Sequence, residues 1–347
     1  MIPASPIFSH ISSPGNDGAA PRWQQLWRQA ISDPGVLLET LGLAHRASEL
    51  LAGADTGFEL RVPQGFVARM RHGDAEDPLL LQVLPGAAEL LNSPGFSVDA
   101  VGDLDAQAAQ GVLHKYQGRA LLIATGACAI HCRYCFRRHF PYADHTAASA
   151  RWRQAIDHLA ADESISEVIL SGGDPLSLAT HRLAELSDAL RRIPHVRRLR
   201  IHTRLPIVLP QRVDREWLDW LADLPLPKVV VLHANHANEI DESVVEACRS
   251  MRETGAILLN QSVLLRRIND SVDALADLSE RLFDAGVLPY YLHLLDRVQG
   301  TAHFEVTSER GIALLDALRA RLPGYLIPEL VREVAGAASK LPARAST

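Results

Sequence analysis

Apolar and polar positions along the chain fall into two regimes. From Trp23 to about Leu91 the apolar residues recur at helical spacing, in W-Q-Q-L-W-R-Q-A-I and G-V-L-L-E-T-L-G-L, with Asp33-Pro34 as a break between them. Near residue 119 the pattern changes to short β-rich runs. These are R-A-L-L-I-A-T (119–125), S-E-V-I-L-S (166–171), R-L-R-I-H-T (198–203), K-V-V-V-L-H (228–233), A-I-L-L-N-Q-S (256–262) and L-P-Y-Y-L-H-L-L (288–295). Helical segments such as H-R-L-A-E-L-S-D-A-L-R-R and D-A-L-A-D-L-S-E-R-L-F-D-A-G lie between them. After the first unit the strands recur about every 30 residues, the length of a βα repeat, which predicts an α/β fold with a parallel sheet.

The residues at the strand ends decide between an open doubly wound sheet and a barrel. The strands end in a cysteine loop, Ser171-Gly172-Gly173-Asp174, His202-Thr203-Arg204, His233-Ala234-Asn235-His236, Asn260-Gln261-Ser262, and His293 with Asp296. A barrel brings all such ends to one mouth, whereas a doubly wound sheet gathers its ligand groups at a single switch point. Six enriched strand ends predict a partial (β/α)6 TIM-like barrel. The expected organisation is a flexible tail at 1–20, rich in Pro, Ser, Gly and Ala, a helical cap at 21–110, the barrel at 111–305 and a C-terminal segment at 306–347.

Composition narrows the function. The net charge is −6 with no long basic run, so nucleic acid is not an expected partner. No apolar stretch reaches the roughly 18 residues of a membrane span, and M-I-P-A-S-P-I-F-S-H lacks the features of a secretory signal, so a soluble cytoplasmic protein is expected. Of 35 basic residues besides histidine only Lys115, Lys228 and Lys340 are lysines, so chemistry needing an amine has three candidates.

Three of the four cysteines lie in C-A-I-H-C-R-Y-C, directly after the first predicted strand. The C-x3-C-x2-C spacing of Cys128, Cys132 and Cys135 suits three corners of a [4Fe–4S] cube with the fourth iron open. Cys248, within the helical E-A-C-R-S-M, reads as a buried small hydrophobe. The alternative is a structural zinc site completed by His131 or His139, although such sites usually pair ligands with C-x2-C spacing.

The cysteine spacing, with Tyr134 before the last thiol, resembles the radical S-adenosylmethionine superfamily. C-R-Y-C-F-R-R, S-G-G-D-P-L, R-L-P-I-V-L-P-Q-R, N-H-A-N-E, N-Q-S-V-L-L, P-Y-Y-L-H and G-Y-L-I-P-E-L narrow it to the lysine 2,3-aminomutase family, over about His114 to Lys340. H-K-Y-Q-G-R and C-F-R-R-H-F-P-Y are similar to the branch that makes β-lysine for elongation factor P. The resemblance implies a radical S-adenosylmethionine barrel whose cluster cleaves S-adenosylmethionine to a 5′-deoxyadenosyl radical. It also implies pyridoxal 5′-phosphate (PLP), whose aldehyde condenses with a lysine amine.

By the family pattern that lysine is Lys340, in the small-residue loop A-G-A-A-S-K of the C-terminal segment. Lys228 and Lys115 are expected at the end of the barrel away from the mouth. The resemblance nonetheless gives Lys115, Tyr116 and Arg119 to the PLP phosphate and Arg137 to the substrate carboxylate; a guanidinium fork suits both anions. Ser171, Gly172, Gly173 and Asp174, with His233 and Gln261, fall to S-adenosylmethionine. Asp296 and Glu333 fall to the distant ammonium of a lysine substrate, Glu333 standing where the family has an aspartate. The implied activity is an isomerase converting L-lysine to (R)-β-lysine, dependent on an electron donor and linked to elongation factor P through a separate lysyl ligase. Alternatives are an aminomutase for another amino acid such as glutamate, or for a biosynthetic pathway, and a non-catalytic iron–sulfur or zinc module.

Overall fold

The computed structural model describes residues 22–53, 57–145 and 149–343, so the expected tail at 1–20 lies outside them. One ten-stranded sheet runs in sequence order: β1 (Gln107–Ala109), β2 (Val112–Tyr116), β3 (Arg119–Thr125), β4 (Glu167–Gly172), β5 (Arg198–Thr203), β6 (Lys228–Leu232), β7 (Ile257–Val263), β8 (Leu288–His293), β9 (Glu329–Arg332) and β10 (Leu341–Pro342). Strands β3 to β9 are parallel. Antiparallel neighbours flank them, with β2 pairing β3 and β10 pairing β9. The sheet has two edges, so the barrel is partial, as predicted.

The six predicted strands are β3 to β8. The sheet goes further than the prediction at both edges. β9 and β10 are four and two residues long, too short to show an alternation. β2 carries His114 and Lys115 in its second half, which masks its apolar pattern.

Each strand's burial follows from its place. β4 is buried along all six residues, as expected of a central parallel strand covered on both faces. On β5 the alternation buries Leu199, Ile201 and Thr203 and turns Arg200 and His202 to the interior. The helices start on local caps. Asp33 accepts from the Val36 N–H at 2.9 Å with Pro34 in the first turn, which explains the break seen in the sequence. Asp214, Asp241 and Ser271 cap the helices Arg215–Asp223, Glu242–Glu253 and Val272–Asp284 in the same way. Cys248 is buried on the second of these.

The N-terminal residues share the barrel's core rather than forming their own. Trp23, Leu37, Leu38, Phe66 and Leu79 pack in one cluster with Leu122, Leu170, Ile201 and Val230. Among the described residues no helix is long and apolar enough to cross a membrane.

Candidate active site

The inner face of the sheet encloses a cavity of about 290 Å³. Every residue to which the resemblance gave a role lines it: the three cysteines; Ser171, Gly172, Gly173 and Asp174; His233 and Gln261; Lys115, Tyr116, Arg119 and Arg137; Asp296, Glu333 and Lys340.

The loop after β3 delivers the cysteines to one wall, and all three thiols are free. Burial raises the Cys128 thiol well above its usual range and pushes Cys135 up to about 11, so both hold their protons until a metal displaces them. The end of β4 lies against this loop because it has no side chains there. Gly172 has a φ of +121°, and a Cβ on Gly173 would stand 2.5 Å from the Ala127 carbonyl oxygen. Asp174 is fully engaged. Its Oδ1 accepts from Leu176 N–H and the Thr203 hydroxyl, and its Oδ2 from the Arg204 and Leu205 N–H groups, so it ties the ends of β4 and β5 together.

Neither histidine proposed for a zinc site turns toward the thiols. His131 Nδ1 meets the Glu59 carbonyl oxygen at 3.0 Å and its ring stacks on Phe58, while His139 Nε2 meets the Gln299 carbonyl oxygen at 3.1 Å. Among the described residues no three His, Cys, Asp or Glu side chains converge on one ion position. The C-x3-C-x2-C spacing of three free thiols lining the cavity suits an iron–sulfur cube, whose irons occupy separate corners.

At the other end the charged side chains form a ladder. Lys340 Nζ lies 2.6 Å from Glu333 Oε2. The Tyr116 hydroxyl donates to Glu333 Oε1 at 2.8 Å, and Lys115 Nζ stands 3.5 Å from the same carboxylate. Lys115 also pairs with Asp103 at 2.6 Å, and the other oxygen of Asp103 takes Arg137 Nε at 2.6 Å. Arg137 reaches on to the Ser171 hydroxyl at 3.3 Å, so the ladder spans the cavity from the lysine to the glycine-rich strand end.

Burial pushes the Glu333 carboxyl upward, but Lys340, Lys115 and Tyr116 outweigh it and hold the group below its usual range. Lys340 and Lys115 also pull Asp296 down, but neither pairs with it. No described residue forms an ion pair with it, and burial together with the nearby charge of Glu333 pushes its carboxyl up to about 7. Arg119 lies over the Tyr116 ring at 4.6 Å, and no described carboxylate pairs with it.

One expectation about placement needs correction. The register pairs Tyr116 with Arg119, so Lys115 is indeed beside the N-terminal end of β3. It lines the cavity nevertheless, because the hollow of the open barrel runs the length of its inner face rather than only across the mouth. Lys228 does stay out; its Nζ donates to the Ala222 carbonyl at 3.1 Å.

Several lining residues were given no role from the sequence. Arg200 and His202 follow from the alternation of β5 and were legible. Asp103 was not, since it sits in D-A-V-G-D-L-D, which reads as a solvated acidic loop. His202, His233 and His293 are all neutral, burial being the main cause, with His233 pushed down to about 3. His233 Nε2 faces the Gln261 amide at 2.9 Å.

Residues 122–279 match the Radical SAM superfamily. An L-lysine 2,3-aminomutase of Haemophilus influenzae is 46% identical over 318 residues, covering 92% of this chain and 94% of that one. The L-lysine 2,3-aminomutase of Escherichia coli is 46% identical over 322 residues, with the same coverage of 92% and 94%. The chain belongs to the lysine 2,3-aminomutase family. A more distant relative, a glutamate 2,3-aminomutase of Clostridioides difficile, is 28% identical over 97% of this chain and 80% of that one. The protein is therefore an isomerase of the aminomutase type, and its radical S-adenosylmethionine domain implies a [4Fe–4S] cluster and S-adenosylmethionine.

Proposed function

We propose that this aminomutase converts L-α-lysine to (R)-β-lysine with a [4Fe–4S] cluster, S-adenosylmethionine and PLP. In this reading the product serves the modification of elongation factor P in the cytoplasm, through a separate lysyl ligase. The observation that carries the substrate assignment is the pair Asp296 and Glu333 in the same cavity as Lys340, two carboxylates where an ammonium must be received out of water. The same pair disfavours glutamate, whose side chain would bring a third negative charge. The elongation factor P role is supported by the H-K-Y-Q-G-R and C-F-R-R-H-F-P-Y motifs.

When bound, the cluster with S-adenosylmethionine supplies a hydrogen-abstracting radical, and PLP supplies the aldehyde that carries the migrating amine. The chain's own part is charge and position. Cys128, Cys132 and Cys135 would hold the cluster, with Ser171, Gly172, Gly173, His233 and Gln261 at the S-adenosylmethionine end. Lys340 would anchor PLP. The residues fit this group: Arg119, at the tight turn between β2 and β3, is a guanidinium without a carboxylate partner among the described residues, while Lys115 across that turn is held by Asp103 and would have to exchange that partner to reach a phosphate. Arg137, held by Asp103, would orient the substrate carboxylate. Glu333 and Asp296 would receive the ammonium and so position the reacting carbon.

The test is product analysis after anaerobic incubation of the reconstituted protein with L-lysine, S-adenosylmethionine and dithionite. β-Lysine is the expected product. No β-lysine, with β-glutamate formed from L-glutamate instead, would overturn the substrate assignment.

A further inference from the structure

A second polar network meets the cysteine loop at Cys132 and Tyr134, and the aminomutase reading leaves it without a task. At its centre is Arg204, buried at the end of β5. Its Nη1 lies 2.6 Å from Cys132 Sγ and also meets the Tyr134 hydroxyl. Its Nη2 donates to Gln82 Oε1 at 2.7 Å and to Glu239 Oε2 at 2.9 Å. The partners are themselves cross-linked. Asn235 Nδ2 donates to the Tyr134 hydroxyl at 2.6 Å and to Gln82 Oε1 at 3.0 Å, and Gln82 Nε2 donates to Glu239 Oε1 at 3.1 Å. Glu239 Oε1 also accepts from the Asn235 and His236 N–H groups.

A buried arginine needs a counterion, and Glu239 supplies it. That requirement alone does not place a guanidinium nitrogen on a thiol sulfur. Both Glu239 and the Gln82 carbonyl oxygen are satisfied by several donors, so neither acceptor depends on Cys132, and Arg204 Nε is left without a partner among the described residues. The contact with sulfur is the part that packing and charge balance do not call for.

We propose that Arg204 is a positioning and tuning residue for the iron–sulfur centre, one that raises its reduction potential by donating to the sulfur of Cys132. The physical ground is charge. Reduction adds one electron to the cluster without a proton, and a fixed positive donor at a ligating sulfur stabilises the more negative state. The Glu239 carboxylate works in the opposite direction by partly cancelling that charge. The backbone of Arg204 is held by Asp174 at the glycine-rich strand end, so its position is tied to the S-adenosylmethionine end of the cavity. The inference rests on the cluster implied by the radical S-adenosylmethionine domain and is independent of which amino acid is the substrate.

The test is an EPR-monitored redox titration of the reconstituted protein, with dithionite as the electron source and iron content measured in parallel. Arg204→Gln should hold its cluster and shift the one-electron reduction equilibrium at least tenfold toward the oxidised form, which is about 59 mV more negative. Glu239→Gln should shift it the other way, and Arg204→Lys should fall between Arg204→Gln and the unaltered protein. A purely structural network would alter loading without moving the potential in opposite directions. A loaded Arg204→Gln protein with an unchanged potential overturns the proposal. If Arg204→Gln fails to load, a positive shift in Glu239→Gln supports the proposal and an unmoved one overturns it. Loss of the cluster in all three variants overturns it in favour of a structural role. β-Lysine formation is read separately, so failure here leaves the substrate assignment untouched.

Discussion

Asp296 and Glu333 differ in the company they keep, and that decides what each can do for an incoming ammonium. Glu333 already holds Lys340, whereas Asp296 has no ion-pair partner among the described residues and titrates near neutrality. Below about pH 7 Asp296 keeps its proton, and an ammonium must displace it to bind. Above that pH the carboxylate is ready. KM for L-lysine should therefore fall as pH rises from about 6 to about 8, the span over which a group with so raised a pKa ionises, and then level off. Asp296→Asn removes the countercharge and keeps the shape. It should lower kcat/KM for L-lysine by roughly 2–4 kcal/mol, in the range for truncating one side of a desolvated pair, and flatten the pH dependence. A steep pH dependence that survives in Asp296→Asn would move the effect to another group. Lys340→Ala should abolish a borohydride-trappable PLP adduct and leave iron content unchanged, because Lys340 pairs with Glu333 and with none of the cysteines; a surviving adduct would reassign the amine to Lys115. At this scale the sequence was informative where residue types are rare. Three clustered cysteines and three lysines leave few choices. Asp103, one acid among several in its loop, gives no signal until Lys115 and Arg137 are seen on either side of it.

At the scale of elements, the six central strands were legible because each is a short β-rich run with a polar C-terminal end. The edges were not, since β9 and β10 owe their conformation to pairing with a neighbour rather than to their own four and two residues. The junction of β4 with the cysteine loop shows why the S-G-G-D sequence matters mechanically. Adding a methyl at Gly173 would place it 2.7 Å from Gly126 C and 2.5 Å from the Ala127 carbonyl oxygen, both backbone atoms that cannot rotate away. Gly173→Ala should displace the loop bearing Cys128 and cost about 1–3 kcal/mol, as for other overpacked sites. The checks are the urea midpoint and the iron content after reconstitution, and both should fall. Full iron loading at an unchanged midpoint would mean that the loop has slack the close contact does not suggest.

At the scale of the molecule, the sequence shows a change of pattern between the N-terminal helices and the barrel, but not what joins them. The join is apolar through the shared core and ionic at the cysteine loop. Glu89, with a side chain 1% exposed, accepts from Arg133 Nε at 2.8 Å and pairs with Arg138 at 2.6 Å. Arg133 and Arg138 come from C-R-Y-C-F-R-R, where the sequence assigned Arg138 no task; they bracket Tyr134 and Cys135 and anchor the ligand loop from behind. Both guanidinium groups lose their countercharge in Glu89→Gln, while the amide preserves the volume. Breaking a buried ion pair from one side leaves uncompensated charge, with a typical cost of about 3–5 kcal/mol. Two arginines share one carboxylate here, so the upper part of that range applies. The variant should unfold at markedly lower urea and, because the anchor and the ligand loop are continuous, should lose iron before it loses helical signal. Iron release that coincides with or comes after global unfolding would mean that the cysteine loop keeps its shape without the N-terminal region, and that the ionic join serves stability alone.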